Sequence, residues 1–482
     1  MHYKHNMFLL QTETFYYKFF IIKKYIKYDQ INVIKSILQI NFFQINFNLF
    51  VCVNFPPAMI DINLLRDKKT REEVKLSEKN RFRDPKLIDE IVELDEKWIK
   101  AQYEYEQKCK TINKKLAEIK TALRNNEDKE EVLKKYNTSI EKEERNELLV
   151  QEKELEKQIY DKLNTVGNIL TSQVPVCQTE DGNVSVREYN TEDLKTKPKS
   201  FSELMNGYTN SEAGSVLIGH RGYYLEGKMA QLATALKFYA QKFLAKNGYT
   251  AIQTPVMMRK EIMALTAQLS DFDEQLYHIT DGDAYLIATS EQPLTALFYN
   301  KRLTSEELPK MYAGESLCFR KEAGAHGKDN AGIFRVHQFE KIEQFVICAP
   351  EDSEKMLEKM INLAESFYKS LGISFRTVLI ASGEMNDAAA MKYDLEAWFP
   401  NAGKFRELVS ASNCTDYQSR NLNVYYGHTK KDEKPKYVHM LNATLCAIQR
   451  ALCCIVENYQ TEDGKIAVPE VLKEYVDFEY IE

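Results

Sequence analysis

The chain has 482 residues, 44% of them hydrophobic, and a formal net charge of −6. That length supports at least one large core and about two domains; the slight acidity excludes a protein held on nucleic acid by bulk charge alone, though not a local basic surface. Nine cysteines without a C-x-x-C pair, with Cys446, Cys453 and Cys454 in apolar runs, read as reduced core thiols rather than a disulfide framework or a zinc site.

Residues 1–58 are biased to Asn, Ile, Phe, Tyr, Lys and Gln, as in QINFFQINFNLFVCVNF. Their positive charge fits an organellar leader, but such leaders are rich in Arg and Ser. The expectation is an atypical extension, either disordered or AT-rich upstream sequence read through, with Met59 of MIDINLLR as the start. No uninterrupted apolar stretch in the chain is long enough to span a bilayer.

Residues 59–173 read as an N-terminal helical domain. From Asp84 the apolar positions Leu87, Ile91, Leu94, Trp98, Ala101, Tyr105, Cys109, Ile112, Leu116, Ile119 and Leu123 alternate steps of four and three with one slip, a heptad seam with a stutter. Pro85 suits the first turn, where its missing N–H costs nothing. After the polar link RNNEDKEEV, a second pattern runs through Leu148, Leu155, Ile159, Leu163, Val166 and Ile169. Residues 84–172 therefore predict an antiparallel helical hairpin, an arm on the order of 60 Å long. Lys108, Lys110, Lys114, Lys115, Lys120 and Arg124 give its far half a basic face, which singly reads as solvated surface and together can grip a phosphate backbone.

Pro175, Gly182 and Pro198 mark residues 174–199 as a linker. Beyond it, residues 200–482 mix short apolar runs (DAYLIATS, FEKIEQFVIC, YVHMLNAT) with amphipathic stretches such as MAQLATALKFYAQKFLAKNG. Without regular strand–helix alternation or a G-x-G-x-x-G turn, the expected class is α+β, a mostly antiparallel sheet flanked by helices. The nearest approach to a Walker loop, Gly324–Lys328, has the wrong glycine spacing and Asp329 where Ser or Thr is needed. A nucleotide would be held by side chains.

Such side chains occur in FRKEAGAHGKDNAGIFRVHQFEK, Phe319–Lys341. SLCFRKE before it and FRVHQFEKIEQFVI at its end alternate as strands, predicting a hairpin with the loop Ala323–Ile333. Period-two geometry places Arg320 and Glu322 on one face, and Arg335, Phe339 and Glu343 on a face of the second strand. Two guanidiniums, two carboxylates and a ring would suit a polyanion with a flat base; the plainer alternative is a solvated hairpin with cross-strand ion pairs. His326 reads as a solvated loop residue, and His337 receives no role.

This pattern resembles motif 2 of the class II aminoacyl-tRNA synthetases in its seryl-tRNA synthetase form. GYTAIQTPVMM resembles motif 1, ATSEQP (Ala288–Pro293) the T-S-E serine loop, and ELVSASNCTDYQSRN from Glu407 with LNATLCAIQR the region ending in motif 3. The wording is similar to the eukaryotic cytosolic type, and Ala443 stands where the family more often has Gly. The resemblance runs from Met59 to the C-terminus. It implies an ATP-dependent serine–tRNA ligase: serine and ATP form seryl-adenylate, and the seryl group passes to tRNA(Ser), with tRNA(Sec) a further candidate.

By the same resemblance Arg320 bridges the serine carboxylate and the α-phosphate, and Arg450 holds the γ-phosphate with help from Arg335. Phe339 stacks on adenine, and Glu322 contacts its amino group. Lys321, Val336, Leu408 and Val409 join the ATP-binding set, and Glu407 and Ser410 hold Mg2+. Thr289, Ser290, Glu291, Glu343 and Asn442 bind L-serine, with Glu343 on the ammonium and Glu291 and Asn442 on the hydroxyl. A site that hydrogen-bonds a hydroxyl rejects analogues lacking one. Thr444, Cys446, Cys453 and Cys454 are expected on the packed face of the motif 3 helix. The implied partners are tRNA(Ser), through the coiled-coil arm, and a second subunit in a homodimer; the implied location is the cytoplasm, with no membrane. Two rivals stand beside this reading. A paralogue that has lost charging should lack some of Arg320, Glu343, Glu407 or Arg450, and all four are present; a coiled-coil scaffold would not need the catalytic-looking half.

Overall fold

The structure is a computed structural model that describes residues 59–482, apart from 267–271, 273, 324–331 and 428–435. The N-terminal extension and most of the glycine-rich loop, His326 included, lie outside the described residues. Two short helices come first, α1 (Ile62–Arg66) and α2 (Lys68–Asn80), capped by Asp61 and Asp67. Each cap carboxylate accepts backbone N–H groups that a helix start leaves unpaired.

The expected hairpin is present as α3 (Lys86–Arg124), 39 residues and so about 58 Å, and α5 (Ser139–Leu163). The link between them is not a plain turn: it contains a third helix, α4 (Lys129–Lys135), started by the Asp128 side chain. The predicted seam holds near the base and drifts toward the tip. Ile88, Ile91, Ala101, Ile112 and Ala122 are buried, whereas Leu116 and Leu123 are exposed. The stutter rotates the contact line, and the far half is tied instead by ion pairs between Lys108 and Glu144 and between Lys115 and Glu141. Those two lysines are committed to the arm itself, leaving Lys110, Lys114, Lys120 and Arg124 on its exposed face.

The rest is built on an eight-stranded sheet: β1 (Val184–Tyr189), β2 (Thr250–Gln253), β3 (Lys310–Phe319), β4 (Gln338–Cys348), β5 (Phe375–Leu379), β6 (Met391–Phe399), β7 (Lys404–Asn413) and β8 (His439–Ala447), in the order β1-β5-β6-β7-β8-β4-β3-β2. Every pairing is antiparallel except β2 with β3, which matches the expected class. The segment 174–199 is more than a linker, because β1 within it forms one edge of the sheet.

One sheet face carries the main core. There α6 (Gly227–Lys246), α8 (Ser353–Ser370) and α10 (Ile448–Asn458) bury Leu236, Met360, Phe367, Leu452 and Ile455 against strand residues such as Leu395, Val409 and Leu445. Cys446, Cys453 and Cys454 are buried and unbridged, as expected. The opposite face is covered at one end, where Phe345 and Ile347 of β4 and Met440 of β8 pack with Leu294, Phe298, Leu422 and Val424; the open part of it, over β6, β7, β8 and β4, carries polar side chains.

Two bulges decide what that open face displays. Along β6 and β7, Leu395 pairs with Val409 but Glu396 with Glu407, so Leu408 is an extra residue. Residues three apart normally point to opposite faces; the bulge brings Glu407 and Ser410, three apart, onto the same one. Between β4 and β8, Glu343 pairs with Thr444 while Ile342 pairs with Cys446, so Leu445 is extra. Thr444 thus faces the open side, not the packed side expected for it.

Candidate active site

The hairpin of β3 and β4 is shorter than the sequence pattern predicts. β3 stops at Phe319 and β4 starts at Gln338, so Arg320, Lys321, Glu322, Arg335 and Val336 lie on the connection, not on strand faces. Glu322 has a φ of 53°, which turns the chain and sends its carboxylate between Arg335 Nη1 at 3.3 Å and Arg221 Nη1 at 3.5 Å. Arg320 is anchored at its backbone, where its N–H donates to the His337 carbonyl and His337 Nδ1 donates to the Arg320 carbonyl, both at 3.0 Å. His337, given no role from sequence, positions the arginine. The Arg320 guanidinium sits 5.3 Å over the Phe339 ring.

Arg450 enters from the first turn of α10, its guanidinium 5.2 Å over Phe334 and 3.7 Å from Glu407 Oε2. Burial lowers its pKa, Glu407 opposes that, and Arg320 and Arg335 lower it further. For Glu407 burial raises the pKa, but Arg450, Lys392, Arg320 and Arg335 outweigh it and hold the carboxyl below its ordinary range. Arg450 is thus in ion-pair contact with Glu407, and the charges of Lys392, Arg320 and Arg335 reach the same carboxylate from farther off.

The other end of the open face is anionic. Glu343 is buried on β4 with Lys341 Nζ 2.5 Å away, and Thr444 Oγ1 donates to it at 3.4 Å. Lys341 was missed, although period-two spacing puts it on the same face two residues before Glu343. Glu291 opens a short helix, α7 (Glu291–Ala296), so the expected serine loop is a helix start. Burial and then Glu343 raise the Glu291 pKa to about 6; a hydrogen bond from Gln418, Lys341 and Arg320 oppose the rise. Arg320 thus acts on both Glu291 and Glu407 and stands between the two ends.

Asn442, on β8, donates to Cys414 Sγ at 3.5 Å, and Thr289 Oγ1 accepts the Glu291 N–H at 3.2 Å. Ser290 is fully buried, its hydroxyl 3.5 Å from the Gly314 carbonyl. Gly314 is needed there, since a Cβ would lie 2.7 Å from Ser290 Oγ. Leu408, Val409 and Val336 have their side chains in the main core, which leaves only their backbone to meet a nucleotide. Ser410 bonds Asp394, whose carboxyl burial raises to about 7 against the opposing charge of Lys392. A hydroxyl that donates to Asp394 keeps its lone pairs, so Glu407 and Ser410 offer two oxygen donors suited to a hard divalent cation.

An open antiparallel face with a cationic end, an anionic end and an arginine between them is the core of a class II aminoacyl-tRNA synthetase. Residues 277–459 match the family model described as tRNA synthetase class II core domain (G, H, P, S and T), and residues 59–170 match the seryl-tRNA synthetase N-terminal domain. A serine–tRNA ligase of Encephalitozoon cuniculi is 54% identical over 428 residues, covering 88% of this chain and 99% of that protein. The crystal structure of a cytoplasmic serine–tRNA ligase from Naegleria fowleri in complex with AMP superposes with a TM-score of 0.79 at 41% identity, covering 88% and 98% of the two chains. That of a Pyrococcus horikoshii seryl-tRNA synthetase complexed with ATP gives 0.80 at 38%, covering 88% and 99%. The chain belongs to the seryl-tRNA synthetase family.

Proposed function

We propose that the chain activates L-serine with ATP and transfers it to tRNA(Ser). The observation that carries this reading is the placement of Arg450 on Glu407, Arg335 on Glu322 and Arg320 over Phe339 at one end of an open face whose other end holds Glu291 and Glu343. Adenylation brings a carboxylate up to a polyphosphate, so the barrier is mainly one of charge and alignment.

Arg320 meets both reactants, binding the serine carboxylate and the α-phosphate in its planar fork. Arg450 and Arg335 bind the terminal phosphates, Phe339 offers its ring to adenine, and Glu322, oriented by Arg221 and Arg335, accepts from the adenine amino group. Glu343 receives the serine ammonium, and Glu291 with Asn442 and Thr289 the hydroxyl. Glu407 and Ser410 would hold Mg2+, which when bound supplies further neutralisation of phosphate charge. No general base is required, because in-line placement carries the step.

The arm is the tRNA grip, through Lys110, Lys114, Lys120 and Arg124. Homodimerisation fits the apolar surface that the helix 211–218 exposes at Val216, Leu217 and Ile218. A cytoplasmic location is the reading supported by the word cytoplasmic in the names of several relatives. Among the described residues no helix is long and apolar enough to cross a membrane. Serine-dependent exchange of pyrophosphate into ATP, followed by charging of tRNA(Ser), tests the reading. Absence of exchange with serine refutes it, and exchange without charging favours the paralogue.

A further inference from the structure

We propose that Gln418 is a positioning residue for serine recognition, its side-chain amide fixing the Glu291 carboxylate as a charged, oriented acceptor. This inference rests on the reading of Glu291 as the hydroxyl contact. Gln418 lies in the five-residue helix α9 (Tyr417–Asn421), far in sequence from Glu291, and is buried. Its Nε2 donates to Glu291 Oε1 at 2.9 Å. A carboxylate accepts only, so this contact fixes which end of the amide faces it.

The need for such a donor follows from the surroundings. Glu291 is faced by Glu343 and Lys341 on β4, by Arg320 beyond β3 and by Cys414 beyond β7. Cys414 is held as a neutral thiol by burial, and Lys341 already pairs with Glu343 at 2.5 Å. Two neighbouring carboxylates thus face one ammonium, which is in contact with Glu343. The Gln418 amide supplies a neutral donor to the second, satisfying it without another charge to desolvate.

The helix is itself held from behind. Tyr417 donates to the Val166 carbonyl at 2.8 Å, Ser419 to the Val438 carbonyl at 2.6 Å, and Arg420 pairs with Asp416 at 2.6 Å and Asp61 at 3.3 Å. Such fixed surroundings give the amide one place to point, and a locked donor orients its partner.

The test compares wild type, Gln418→Leu and Gln418→Glu in serine-dependent pyrophosphate exchange across pH, with thermal unfolding as a fold control. Gln418→Leu removes a hydrogen bond to a charged group and is expected to raise KM for serine roughly tenfold or more, leaving KM for ATP unchanged. The acidic limb of the serine profile should move to higher pH, since the bond lowers the Glu291 pKa. Gln418→Glu keeps the shape, adds a like charge and should move the limb at least as far; it also serves if the leucine variant does not fold. An unchanged serine KM, equal losses for serine and ATP, or an unmoved limb overturns the proposal. If wild type shows no serine-dependent exchange, the underlying reading fails instead.

Discussion

Excision of residues 105–147, closed by a short Gly-Asn turn between Glu104 and Leu148, should separate the two activities. Lys108 faces Glu144 and Lys162 faces Glu90, so Glu104 and Leu148 lie opposite one another and the cut keeps register. The removed half buries Ile112, Ala122 and Val132, roughly 4–6 kcal/mol of gross apolar burial. Since the excised residues also keep their own ordering entropy, the remainder should lose only about 1 kcal/mol. The base of the arm stays, with Ile88, Ile91, Ile159, Leu163 and Val166 packed around Tyr417. Serine-dependent pyrophosphate exchange should stay within about twofold of wild type, while charging of tRNA(Ser) falls by about 100-fold or more as the phosphate contacts disappear. Removing all of 84–172 is a different experiment. It takes the Val166 carbonyl from the Tyr417 hydroxyl and the Asn168 amide from Ala388 O, Cys414 O and Thr415 Oγ1, stranding groups at about 1–3 kcal/mol each, and should damage both activities. Undiminished charging after the shorter excision, or loss of exchange with it, refutes the division of labour.

Lys110→Glu with Lys114→Glu should weaken tRNA binding without touching exchange, and lower the slope of log affinity against log salt by about 2; an unchanged slope places the tRNA elsewhere. Arg81 donates to the carbonyls of Asn168, Asn386 and Ala389 although burial lowers its pKa to about 10. Arg81→Met takes the donor from the Ala389 carbonyl and leaves Asn168 O and Asn386 O with only the Ser77 hydroxyl and the Ala389 N–H, and should lower the urea midpoint by an amount equivalent to about 2 kcal/mol, with no shift counting against its bridging role. For Glu291 the folded pKa is raised from 4.5 to about 6, so its neutral form contributes stability that is complete below pH 4.5 and lost as pH rises through 6. Glu291→Gln should therefore gain stability relative to wild type over that window, by on the order of 2 kcal/mol, while serine-dependent exchange falls; parallel stability curves refute the assigned shift.

How much of this was legible in the sequence depended on distance along the chain. The arm was, because a seam of apolar residues is a local signal, though the contact line drifts past Ile112 and leaves Leu116 and Leu123 exposed. The ordered motifs located Arg320, Arg450, Glu407 and Glu343. Alternation then misled: Arg320, Glu322 and Arg335 look like strand residues, yet the strands end before them and a left-handed turn at Glu322 aims the carboxylate. Thr444 was assigned to the wrong side because a bulge changes parity invisibly. Gln418 and Arg221 act through partners far away in sequence, and no spacing rule reaches them.

The extra residue at Leu408 also sets what this chain can tolerate. A strand shortened by that one residue would lose the bulge and become regular, with Glu407 and Ser410 two apart and still on one face, opposite Glu396 and Asp394 as before. What the extra residue adds is a second apolar side chain, Leu408 beside Val409, in the core beneath the two oxygens. A one-residue deletion there therefore costs buried apolar area and not a buried charge.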